Sequence, residues 1–326
     1  MIKLSLKLLV LCVLMASPAV LQAQFTFTTN GNAITIAGYT GSDGTVVIPG
    51  MINDLPVTRI GDYAFINRGS LTNVTLPDSV TSIGVLAFYN CNNLTNIDLG
   101  NGIASIGDIA FENCTSLTAI TIPDSVTSIG GDAFMSCSSL MSVTLGNRVP
   151  YISDHMFYGC SSLTRIVIPN SATSIEGSAF QYCVSLASVT VGTNVTSIGN
   201  GAFYYCTSLT GVFFRGPPPS LGWSVFDFDK AATVYYLPGT TTPAWSSPFG
   251  GRPATLWRPQ VQTGDGSFGV RTNQFGFNIV WAGGQTLVVD ACTNLVDPVW
   301  FALQTNILTG DSHYFSDPQW TNYPGR

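Results

Sequence analysis

Any reaction run by this 326-residue chain would need histidines, carboxylates, thiols or activated hydroxyls converging on one point, and few are available. Its two histidines, His155 and His313, have no sequence neighbour that could complete a metal site. His155 stands at a variable position that reads as surface. Serines abound, yet no G-x-S-x-G elbow occurs and neither histidine is placed to activate a hydroxyl. Asp227 and Asp229 form an isolated D-x-D, which reads as a turn cap, with calcium ligation as the alternative. The remaining candidates are thiols: Cys91, Cys114, Cys137, Cys160, Cys183 and Cys206 recur every 23 residues, while Cys292 stands apart. With no catalytic or metal constellation, the chain reads as a non-enzyme that needs no cofactor.

The 23-residue step extends well beyond cysteine, and it defines the elements that must position these groups. It relates Ile60, Ile83, Ile106, Ile129, Ile152, Ile175 and Ile198, and equally the phenylalanines from Phe65 to Phe203 and the leucines from Leu71 to Leu209. One unit, from Ile106, reads IGDIAFENCTSLTAITIPDSVTS. Leu117, Ile120 and Ile122 give an L-x-x-L-x-L strand spacing, with Ile120 and Ile122 turned inward and Ala119 and Thr121 outward by strand alternation. Ala110, Phe111 and Cys114 fall at a three-to-four-residue spacing, which predicts a short helical turn across the other side of the coil. A bend follows the strand at Pro77, Pro123 and Pro169, alternating with Gly100, Gly146 and Gly192. The extended piece Val126–Ile129 closes the coil, burying Val126 and Ile129 and exposing Thr127.

Stacked coils also decide the fate of the thiols. Equivalent residues one coil apart sit about 4.8 Å from each other with parallel Cβ vectors, whereas a disulfide needs Cβ atoms about 3.8 Å apart and turned toward one another. The reading is a ladder of buried free thiols acting as small apolar groups. Cys292 reads as buried in its own strand.

From Phe25 to Phe226 these units resemble the BspA-type leucine-rich repeat of bacterial surface and secreted proteins. The resemblance implies extracellular adhesion or ligand binding through the solenoid, with no shared active site; partner identity does not carry over. The fold expected is a β-rich leucine-rich-repeat solenoid with short helical turns, plus a small C-terminal β-sandwich-like module. By segment, 1–23 is expected to be a signal peptide, with Lys3 and Lys7, the apolar run Leu8–Met15 and a small-residue exit at Ala23. An N-terminal β-hairpin cap follows over 24–56, then the solenoid over 57–226 as seven repeats and a half-repeat. A C-terminal cap and linker over 227–259 leads to a small β module over 260–326. That module carries strands at Phe275–Trp281, Thr286–Cys292, Trp300–Thr305 and His313–Asp317 and reads as truncated at Gly325-Arg326.

Composition narrows the partners. Only 9% of residues are charged, so Ser, Thr, Asn and Gly must supply the polar surface. Removing Lys3 and Lys7 with the leader leaves ten basic residues against eighteen acidic ones, a net charge of about −8. With no basic patch, nucleic acid is excluded as a partner, and no segment of the mature chain is long and apolar enough to span a membrane. The outward strand positions are the binding candidates: Asn73, Thr75, Asn96, Asp98, Thr121, Thr144, Arg165, Thr190 and Phe213. Such a face of hydroxyls and amides, with an arginine and an aromatic toward one end, suits an extracellular protein or carbohydrate. The leading reading is a secreted or cell-surface bacterial adhesion protein; the alternative is a structural spacer of the envelope or matrix with a C-terminal anchor. Its oligomeric state is left open.

Overall fold

A computed structural model of the chain describes residues 24–42, 44–240, 244–262, 269–271, 274–281, 285–292, 300–310 and 312–317. The expected leader at 1–23 and the side chain of Cys292 lie outside them. Two compact units emerge: one runs to Thr210 and takes in Pro219–Ala232, and the other comprises Gly211–Pro218 and the chain from Thr233.

The first unit is a solenoid whose columns follow the 23-residue step. Ile60 pairs in parallel with Ile83, Ile83 with Ile106, Ile106 with Ile129, and Ile175 with Ile198. Ile152 joins through an isolated bridge to Ile175. The phenylalanines stack in a second column, with ring centroids 4.9 Å apart for Phe65–Phe88, 5.3 Å for Phe111–Phe134 and 5.6 Å for Phe203–Phe226. Each ring is buried because its neighbours one coil above and below cover both faces, so no coil can bury its apolar edge alone.

At the amino-terminal end, Phe25–Asn30 and Ala33–Tyr39 form an antiparallel hairpin around Gly31, which takes a left-handed φ of 60°. Ala33–Tyr39 pairs in parallel with Leu55–Ile60, placing Ile36 beside Ile60 and extending the isoleucine column by one step. Tyr39 does the same for the phenylalanine column, stacking 5.5 Å from Phe65.

The turn segments differ from the short helical turns expected: no α-helix occurs among the described residues. In the coil of Ile106, Glu112 N bonds Ile109 O, Cys114 N bonds Phe111 O and Leu117 N bonds Cys114 O, each closing a four-residue turn. Ile109 and Asn113 have φ near 60°, which ends any right-handed helical run. The intervening amides point along the stack instead: Ile109 N, Phe111 N and Asn113 N bond Gly131 O, Ala133 O and Met135 O at 2.8–2.9 Å. An amide committed to the next coil is lost to a helix, so the turn region is itself a ladder between coils.

In the second unit, Gly211–Phe214 pairs in parallel with Thr233–Tyr236, which pairs with Ala254–Leu256. Gln274–Val280 pairs antiparallel with Ser312–Asp317 on one edge and with Gln260–Gln262 and Gly269–Arg271 on the other. Thr286–Cys292 and Trp300–Ile307 form a separate antiparallel pair. Leu237, Ile279, Trp281, Leu287, Leu308 and Phe315 share one core, and Trp281 Nε1 donates to Trp257 O at 2.9 Å.

Candidate functional site

The candidate face is built from three-residue strands whose middle residue points inward. Val74, Ile97, Ile120 and Ile166 are buried there, and Val143 is half-buried. Flanking positions therefore point outward: Thr75, Asn96, Asp98, Thr121, Thr144 and Arg165 are exposed, while Asn73 and Thr190 are half-buried. Asn73 pairs with Asn96 and Thr75 with Asp98; Thr121 pairs with Thr144, and Arg165 with Ser188. These site candidates thus fall into two aligned rows on one unit. Phe213 belongs to the second unit, where it is half-buried and stacks 4.8 Å from Tyr235 and 4.9 Å from Trp257.

Pairing along the face is interrupted at two places, and the corner residues explain them. In each Pro coil the residue after the strand donates onward: Leu76 N to Asp98 O, Ile122 N to Thr144 O and Ile168 N to Thr190 O, at 2.8–2.9 Å. Asp78 and Asp124 then accept the backbone amides of Asn101 and Asn147 through Oδ1 at 2.7 Å, and Asn170 does the same for Thr193 at 3.0 Å. The Gly coil lies so close that a Cβ on Gly146 would fall 2.4 Å from Pro123 O, and one on Gly192 equally close to Pro169 O. Beyond the coils of Gly100 and Gly146 the ladder stops: Asn96–Asp98 and Ala119–Thr121 belong to separate sheets, as do Ser142–Thr144 and Arg165–Val167. At the first of these breaks Asp98 Oδ1 accepts Gly100 N at 3.0 Å, turning the chain at a left-handed glycine. A cleft of about 400 Å³ opens there, lined by Asn96, Asp98, Asn101, Ala119 and Thr121 among others.

The cysteine column lies under the opposite side of the coil and is free and buried from Cys91 to Cys206. Each thiol donates to the carbonyl of a phenylalanine in the preceding coil: Cys91 to Phe65 at 3.1 Å, Cys137 to Phe111 at 3.2 Å and Cys206 to Phe180 at 3.0 Å. The sequence reading of small apolar groups missed this bond, since nothing in the spacing reveals which carbonyl the turn leaves over. Burial pushes the Cys91 and Cys160 thiols up to about 12, and raises Cys114, Cys137, Cys183 and Cys206 well above the usual thiol range. Thiolate chemistry is therefore closed to them at neutral pH. Asp229 takes the next place in this column and is fully buried, while its D-x-D partner Asp227 is exposed.

His155 stands in a left-handed turn position, partly exposed, with Nδ1 3.8 Å from Asp132 Oδ1. Burial, and then the Asp132 carboxylate, raise Glu112 above the usual range. Among the described residues no group of three or more His, Cys, Asp or Glu is arranged to hold a metal ion, and no helix is long and apolar enough to cross a membrane.

Comparison with known proteins agrees with this architecture. The family described as the BspA type leucine rich repeat region matches in six copies over residues 58–184 and 129–242. A leucine-rich-repeat protein of T. pallidum is 32% identical, with a TM-score of 0.51 over 65% of this chain and 89% of that one. A leucine-rich-repeat protein of Bacteroides ovatus is 25% identical, with a TM-score of 0.45 over 65% and 70% of the two chains. A leucine rich cell surface protein of Faecalibacterium prausnitzii is also 25% identical, with a TM-score of 0.37 over 67% and 88%. No curated protein matches the chain. Repeat, columns and likeness agree, and the chain belongs to the BspA-type leucine-rich-repeat family.

Proposed function

We propose that this chain is a secreted or cell-surface binding protein, non-catalytic, that recognises an extracellular protein or carbohydrate through its exposed strand face. The observation that carries this reading is the pair of outward rows, Asn73, Asn96 and Arg165 in one and Thr75, Asp98, Thr121, Thr144 and Thr190 in the other. They offer hydroxyl, amide, carboxylate and guanidinium groups from a scaffold whose backbone is held by ladders between coils. Side chains anchored on such a scaffold lose little freedom on binding, which favours recognition by many individually weak hydrogen bonds. The cleft beside Asn96, Asp98 and Thr121 adds a concave contact point to the face.

The test is a glycan array and an extracellular-protein pull-down with the exported chain, run beside Thr121→Lys and Thr144→Lys. Both positions are exposed, so the variants should fold normally and lose the captured partner. Capture undiminished in both variants removes the strand face from the account.

A further inference from the structure

The turn edge of the solenoid changes character along the chain. Immediately before each buried cysteine stands a residue in the left-handed region: Asn67 opens this column before Arg68, and Asn90, Asn113, Ser136 and Gly159 continue it, with φ between 57° and 70°. Glycine and asparagine fit that backbone conformation with less strain than bulky side chains do. Yet the next three coils put Tyr182, Tyr205 and Phe228 there, at φ of 61°, 63° and 71°. These rings stay 37%, 40% and 51% exposed. A disfavoured backbone carrying an exposed aromatic, three times in register, points to a use outside folding.

The rings form a continuous strip. Tyr182 lies 5.5 Å from Tyr205, and Tyr205 lies 5.3 Å from Phe228. Tyr158 and Tyr204 brace them edge-on, Tyr158 at 82° to Tyr182 and Tyr204 at 73° to Phe228. Interlocked in this way, the rings are set before any ligand arrives, which lowers the entropy lost on binding. Ser178 and Gln181 crowd the same turn around Gly201, adding a hydroxyl and an amide beside the rings. Ionisable groups stand at the two ends of the strip, with His155 beside Tyr158 at one and Asp227, the buried Asp229 and Lys230 next to Phe228 in sequence at the other.

We propose that this strip is a second binding surface, separate from the strand face, for a neutral polysaccharide chain. Pyranose rings offer faces of electropositive C–H groups that pack on the negative faces of aromatic rings, and their hydroxyls suit phenol, serine and glutamine neighbours. The rings repeat once per coil along the stacking direction, which matches an extended polymer better than a single sugar. An anionic polymer would meet no basic cluster, on a chain that is itself acidic.

The test is affinity electrophoresis of the full exported chain through gels containing hydroxyethylcellulose, xyloglucan, galactomannan or pullulan. Wild type should be retarded in at least one gel. The triple variant Tyr182→Asn, Tyr205→Asn, Phe228→Asn restores the residue type of the earlier coils, so it should melt no lower than wild type while losing at least tenfold in affinity. Thr121→Lys and Thr144→Lys should be retarded like wild type, which keeps this test independent of the strand face. The proposal falls if no gel retards wild type, or if the triple variant is retarded equally. It falls too if retardation is lost in the threonine variants, or if wild type proves to be a dimer that the triple variant converts to monomer.

Discussion

Each buried thiol is a proton that the folded chain keeps and the unfolded chain releases. A thiol in the unfolded chain ionises near 9.0, whereas burial holds Cys91 and Cys160 up to about 12 and raises the other four of the column well above 9.0. Below the unfolded value both states are protonated and the thiols add no pH dependence. Above it the folded state binds more protons than the unfolded one, so stability falls as the pH rises toward the folded value. One pH unit above the unfolded value, each thiol favours unfolding by about 1 kcal/mol. The six of the column together reach several kcal/mol, a large part of the stability of an ordinary domain. The assay is urea unfolding followed by tryptophan fluorescence at pH 8 and pH 10 under a reductant, for wild type and Cys137→Ala. Tyrosine titration is common to both proteins and cancels in the difference. The stability gap between them should narrow by about 1 kcal/mol from pH 8 to pH 10, because the variant has one fewer proton to release. A gap that stays constant would show that Cys137 ionises alike in both states and would refute the argument.

Four further outcomes follow from the same packing. The column thiols should resist Ellman's reagent in the native protein at pH 8 and all react in guanidinium; rapid native labelling of any of them contradicts the burial. Phe134→Ala should lower stability by about 3–5 kcal/mol, read from urea midpoints, since it opens a gap between Phe111 and Phe157. Gly146→Ala should destabilise by more than about 1 kcal/mol because the new Cβ meets Pro123 O at 2.4 Å. Gly131→Ala, whose Cβ meets nothing nearer than 3.5 Å, should shift stability by no more than about 1 kcal/mol in either direction.

The columns were legible because a solenoid writes its core into sequence at a fixed step: Ile60 to Ile198 and Phe65 to Phe203 are aligned in the chain as in space. Strand alternation likewise placed Thr121 and Thr144 outside. The turns were misread because Ala110, Phe111 and Cys114 are all buried at the spacing a helix would also give. What separates the two is the left-handed backbone at Ile109, and an isoleucine gives no warning of that. The breaks in the strand face were half visible, in the alternation of Pro123 and Gly146, but the consequence for pairing needs the distance between neighbouring corners. The aromatic edge was signalled by Asn113 and Ser136 giving way to Tyr182 and Tyr205 at the same step, a substitution that matters only once the turn conformation is known.

The alternating corners also constrain how such a chain can lengthen. Copying a single proline coil would put a proline where Gly146 stands and drive its side chain against the Pro123 carbonyl. Copying a proline coil together with its glycine partner leaves every junction as it was. Growth of the exposed rows by duplicated pairs therefore keeps the corner contacts, whereas a lone extra proline coil would have to rebuild the corner chemistry at the seam.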